Sequence, residues 1–179
     1  MERLRRFIWY LAGRLFLLLT LLSLFPVTFY YAMNATNIYI VLKDGMAKRA
    51  QVIMMDEDAS ELTKFFQSSY LQRDQNLQIA LEGKSPYTYY TVRGIDHRLK
   101  MTWMWCWPWD TTARAEFTET IPRIDGRVKS SSADAARALY GDGFEYPPKW
   151  QGGRYAATLV KENGQWHVRS LTLLAQVDE

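Results

Sequence analysis

The sequence predicts an α+β fold: one N-terminal transmembrane helix, then two or three helices packed on a curved antiparallel sheet. Three observations carry this. Residues 15–33, LFLLLTLLSLFPVTFYYAM, hold no charged side chain, and about 19 helical residues span roughly 28 Å, the depth of a bilayer's hydrocarbon. Residues 89–107 alternate with period two and are answered by a second alternating run over 111–124, the pattern of paired strands with one buried face. Asn163-Gly164 stands between two further apolar runs, the strongest short signal for a tight hairpin.

The span is placed at 15–33 because a window opening at Phe7 would put Arg14 near mid-membrane, whereas here Arg14 lies at the edge and its guanidinium reaches the headgroups. Trp9 and Tyr10 on one side and Tyr30 and Tyr31 on the other fit interfacial aromatic belts. Pro26 is expected to kink the helix, which membrane helices tolerate when the freed carbonyl finds a partner. A cleavable signal peptide is the competing reading, but the apolar run is long and Tyr30, Tyr31 and Met33 crowd the positions where small residues are needed. Arg3, Arg5, Arg6 and Arg14 precede the span, while Lys43, Lys48 and Arg49 follow at a greater distance. This bias orients the N-terminus (1–14) to the cytoplasm and the rest outside the plasma membrane, as a single-pass signal anchor.

The remaining length suits one domain. Net charge is +3 and its visible cluster belongs to topology; no basic stripe interleaved with stacking aromatics points to nucleic acid. Cys106 is the lone cysteine, which excludes an intrachain disulfide. Two histidines and one cysteine offer no metal-ligand spacing, and Gly152-Gly153 precedes a strand, not a helix, so no metal or cofactor is expected.

In chain order, 34–42 is a β-branched juxtamembrane segment of unspecified state, and the domain occupies 43–179. A helix is expected over 43–55, with Ala47, Ala50 and Met54 on one face. Asp58 and Glu61 make a capping-box pattern for a second helix reaching about Gln72, with Leu62, Phe65, Phe66 and Tyr70 inward. A polar connection follows over 75–86. The long strand sets Ile95, His97, Leu99, Met101, Trp103, Trp105 and Trp107 on one face; Pro108-Trp109-Asp110 turns the chain. The return strand shows Ala113, Ala115, Phe117 and Ile121 on one side and is ended by Asp125-Gly126. A short helix within 130–140, with Ala133, Ala136 and Leu139 inward, stops at Gly141. Strands 154–161 and 165–174 then pair Glu162 with Gln165, Lys161 with Trp166 and Leu159 with Val168, and 175–179 frays.

Leu62, Phe65, Phe66 and Tyr70, the His97–Trp107 face, and Ala156 to Leu159 leading through Asn163-Gly164 to Trp166 together give an order of elements that resembles the cone-shaped nuclear transport factor 2-like superfamily. The resemblance covers residues 43–177 and rests on topology. One anchor followed by such a cone is similar in layout to VirB-type and TcpC-like scaffold proteins of type IV secretion and conjugation, and to anchored proteins of sporulating bacteria. It implies protein–protein interaction within a cell-envelope assembly, with membrane lipid, other envelope proteins or a second copy of the chain as partners.

Enzymes of that superfamily, such as ketosteroid isomerase-like ones, carry Asp, Tyr and His inside the cone. Asp96 and His97 point to opposite strand faces and cannot form a dyad. His97 with Glu119 is the better pair: a turn near Trp109 sets Glu119 opposite Leu99, one diagonal step from His97. It suits general acid–base work in a small-molecule-binding, isomerase- or dehydratase-like cone, or a structural ion pair, or Glu119 turns outward on a bulge. The row Trp103, Trp105, Trp107 and Trp109 either packs as core or lines an open groove for peptide or lipid. The expectation is a non-catalytic scaffold, with the catalytic cone as the alternative.

Overall fold

The computed structural model describes residues 2–177. Its first element, α1, is one helix of 54 residues, Glu2–Met55, roughly 81 Å long at 1.5 Å per residue. It contains a stretch of mean hydropathy 1.9 and is long and apolar enough to cross a membrane. The helix runs through Pro26 without interruption, and Thr28 Oγ1 donates to the Leu24 and Phe25 carbonyls beside it. Residues 34–42 and the helix expected from 43 are thus one element with the apolar stretch. The reason is tertiary: Asn34, Ile38, Leu42, Met46, Arg49 and Ile53 recur every three or four residues and are all buried. That stripe faces the domain and outweighs the β-branched local preference. Asp56, at φ 57°, ends the helix.

The capping pattern at Asp58 is used, since its carboxylate accepts from the Ser60 amide at 2.9 Å, but the expected helix to Gln72 is split. A 3-10 turn, Ala59–Lys64, gives way at Phe65, and α2 is only Ser68–Leu71. Between them Phe66 forms a parallel bridge with Val168, with Val168 N donating to Phe65 O at 2.7 Å and Gln67 N to Val168 O at 2.9 Å. Strand pairing there replaces a turn of helix. The supposed polar connection is in fact α3, Gln75–Leu81, capped by Asp74 and anchored by buried Leu77. A helix with one deeply buried apolar residue leaves little periodicity to read.

The strand expected over 89–107 breaks at Asp96-His97. β1 (Tyr90–Ile95) pairs antiparallel with β4 (Ile124–Val128) in a separate two-stranded sheet, so Asp125-Gly126 lies inside a strand and does not end one. Gly126 is required there, because a Cβ would sit 2.8 Å from Pro147 Cγ. β2 (Arg98–Trp105), β3 (Thr112–Thr120), β5 (Gly152–Glu162) and β6 (Gln165–Val177) form a four-stranded antiparallel sheet in the order β2-β3-β5-β6. Asn163 and Gly164, at φ 51° and 83°, make the tight turn between β5 and β6, and Glu162, Lys161 and Leu159 face Gln165, Trp166 and Val168. β6 stays paired through Val177, opposite Gly152, so the expected fraying at 175–177 does not occur; 178 and 179 lie outside the described residues. In α4 (Ala133–Tyr140) Ala136 is buried but Leu139 is exposed, against expectation, because so short a helix presents only one position to the core.

The C-terminal half of α1 lies with the 3-10 turn, α3 and the sheet around one core. Phe66, Phe117, Leu42, Met46, Leu62, Leu159 and Val168 are among its fully buried members. Gly45 lets the helix approach closely, since a Cβ at that position would stand 2.9 Å from Phe65 Cβ.

Candidate functional site

β2 and β3 hold both groups of residues that the sequence singles out. Their register pairs Leu99 with Glu119 and Met101 with Phe117, then shifts by one at Thr102, so that Trp103 faces Glu116 and Trp105 faces Arg114. The extra residue is a β-bulge, with Thr102 Oγ1 donating to Glu116 O at 3.0 Å. A one-residue shift moves every later side chain to the other face. Before the bulge Leu99 and Met101 lean inward; after it Met104 and Cys106 do. The row of tryptophans therefore does not share a face with His97. Trp103, Trp105 and Trp107 are about half exposed (48%, 49% and 44%) and Trp109 more so at 69%. They form a ladder on the outside of the hairpin: Trp105 meets Trp107 edge-on at 5.3 Å, and Trp107 stacks on Trp109 at 5.4 Å with the rings 9° apart.

The turn that carries Trp107 and Trp109 is held locally. Asp110 N donates to Trp107 O at 3.1 Å, and the Asp110 carboxylate accepts from Trp107 N at 3.2 Å. Cys106 is sealed beneath, and burial pushes its thiol pKa up, with Asp110 adding to the effect. A thiol so placed is a poor nucleophile.

His97 and Glu119 do meet: Nε2 lies 3.0 Å from Oε1. Their side chains expose 6% and 0% of their surface, and the second Glu119 oxygen has no hydrogen-bond partner among the described residues. Burial raises the neighbouring Tyr155 phenol pKa, and the Glu119 charge raises it further. The grooves around Trp150, of about 260 Å³ and 330 Å³, are lined by residues such as Thr120, Lys149 and Tyr87, and include neither His97 nor Glu119. The pair is enclosed by protein and offers no open face to a substrate.

A third constellation escaped the sequence reading. Arg49 of α1 forms a two-pronged ion pair with Asp74, Nη2 to Oδ1 at 2.9 Å and Nε to Oδ2 at 2.5 Å, with both side chains almost wholly buried. Tyr70 donates to the same carboxylate at 3.3 Å, and Asp74 also caps α3 by accepting from Leu77 N. Burial alone would raise the Asp74 pKa; the Arg49 hydrogen bonds and charge outweigh it and hold the carboxyl below its usual range. Burial likewise opposes the Arg49 charge, and Asp74 overcomes it. The available signal was Arg49 on the buried stripe of α1, seven residues after Leu42.

The anchor residues Trp9, Tyr10, Arg14, Pro26, Tyr30 and Tyr31 all lie on the exposed part of α1, with the Arg14 guanidinium 4.6 Å over the Tyr10 ring. No family model matches the chain, and no curated protein or solved structure is significantly similar to it.

Proposed function

We propose that this chain is a single-pass protein of a bacterial plasma membrane, with its N-terminus cytoplasmic and its α+β domain outside. The domain acts as a non-catalytic interaction or scaffold module in an envelope assembly of the secretion, conjugation or sporulation type. The bulged four-stranded sheet packed against α1 and the short helices supports a cone of the nuclear transport factor 2-like kind. The observation that carries the functional reading is the uninterrupted course of α1 from its apolar half into the domain core. A domain that only processed a soluble substrate has no need of such rigid attachment. A platform that must hold its surface at a set height above a membrane does.

The enclosure of His97 and Glu119 favours a structural ion pair over the catalytic alternative. Photo-crosslinking groups placed at exposed domain positions such as Arg137 and Glu145, in native membranes, test the proposal. Discrete adducts with envelope proteins or with a second copy are expected. A domain that yields no adduct, while a folded Glu119→Gln chain loses its biological role, refutes the scaffold and favours chemistry.

A further inference from the structure

The apolar stretch of α1 expected to cross the membrane ends at Met33; charge returns only at Lys43, but the very next residue, Asn34, already belongs to the domain. Asn34 is buried, and its Nδ2 donates to the Pro108 carbonyl at 3.2 Å. Pro108 lies in the β2–β3 turn, so the tip of that hairpin stands beside the point where the apolar half of α1 stops. The rest of the domain lies further along: Arg49 meets Asp74, and Ser85 Oγ donates to Ile53 O, about 15 and 19 residues, or roughly 22 and 28 Å, beyond Asn34. The β5 end is at the near level too, since Lys161 N donates to Thr111 O at 2.8 Å.

The near end thus carries the exposed ladder of Trp105, Trp107 and Trp109. On a face turned to water such a patch is a liability. Indole is at home in the headgroup region of a bilayer, where its ring is shielded and its N–H stays wet. Tyr30 and Tyr31 lie three to four residues before Asn34 on the helix, roughly 5–6 Å below it. On the Asn34 face, Val27 is the one described residue before Asn34 that is half-buried and not exposed.

We propose that the β2–β3 hairpin tip is a second membrane footing, with Trp105, Trp107 and Trp109 seated in the headgroup–acyl boundary of the leaflet from which α1 emerges. The inference rests on α1 crossing the bilayer. Its partner is lipid, and the contact is aromatic insertion; the carboxylate at the tip, Asp110, is engaged with the Trp107 amide, so zwitterionic lipid suffices. With two footings the domain is fixed in tilt as well as in height.

The test uses the full chain in phosphatidylcholine vesicles whose acyl chains are brominated near the headgroup, which quenches only indoles at that depth. Trp9 reports the helix, so the decisive protein is Trp9→Phe, in which every remaining indole belongs to the domain. It is expected to remain strongly quenched. Adding Trp107→Phe and Trp109→Phe is expected to cut that quenching at least about twofold, as for loss of interfacial indoles. If Trp9→Phe floats with the vesicles but is not quenched, the hairpin stands clear of the membrane and the proposal is overturned. Quenching that survives the added substitutions overturns its assignment to the tip. Failure of the chain to float, with no quenching of Trp9, overturns the spanning helix itself and the footing with it.

Discussion

Replacing Arg49 by methionine keeps the length of the side chain within the α1 stripe but strips Asp74 of its buried partner. Removing one member of a buried, hydrogen-bonded ion pair costs about 3–5 kcal/mol, because the other charge is left in a low-dielectric site. A domain of ordinary stability holds about 5–15 kcal/mol, so the change consumes a large share of it. Asp74→Asn is the complementary probe: the amide oxygen still caps Leu77 N, yet the guanidinium loses its counter-charge. If the account is right, each single change is severe and the double variant recovers about 2–3 kcal/mol of coupling. The measurement is urea unfolding of the full chain in detergent micelles, followed by tryptophan emission. The pair also sets an acid limb. Asp74 holds its proton less tightly folded than unfolded, so its contribution is complete above about pH 4 and fades as pH falls through the folded value. Asp74→Asn should flatten that limb. Single variants costing under about 1 kcal/mol, with simple additivity in the double, refute the reasoning.

His97→Ala leaves the fully buried Glu119 carboxylate unpaired and should lower stability by about 3–5 kcal/mol, read by the same titration. Phe117→Ala, deep in the core, should cost about 3–5 kcal/mol, whereas Trp103→Ala on the exposed face should cost under about 1.5 kcal/mol; equal losses would mean the bulge at Thr102 is misplaced. Gly45→Ala drives a methyl to within 2.9 Å of Phe65 Cβ and should destabilise by about 1–3 kcal/mol, seen as a lower Tm.

What could be read from the sequence was whatever depends on neighbours along the chain. The Asn163-Gly164 turn announced itself because few other residue pairs accept two positive φ angles in succession, and closing that turn fixed the partners of Glu162, Lys161 and Leu159. The approach of His97 to Glu119 followed from period two and a turn near Trp109. The same logic failed five residues after His97, at Thr102. A bulge adds one residue without altering composition, so nothing in the string MTWMW marks Thr102 as the point where the faces exchange. The break at Asp96-His97 was hidden for a similar reason: alternation continues across it while the chain passes from one sheet to another. The stretch 34–42 carries Ile and Val that favour strands in isolation, and only the core against which Ile38 and Leu42 pack makes it helical. Arg49 and Asp74 are 25 residues apart, and no local rule brings them together.

Because α1 is a single rod from Glu2 to Met55, angular position is shared between its two halves. Each residue of a helix turns it by about 100° and lifts it by about 1.5 Å. One residue inserted between the apolar half and the core therefore swings the whole sheet sideways by about 100°, while seven bring it to within about 20° of its starting azimuth some 10 Å higher. Facing and elevation can thus be varied almost independently by the length of an insertion. By the same coupling, a twist applied to the apolar half of the helix would be felt as torque at β6, and a load borne by the sheet would be returned to that half.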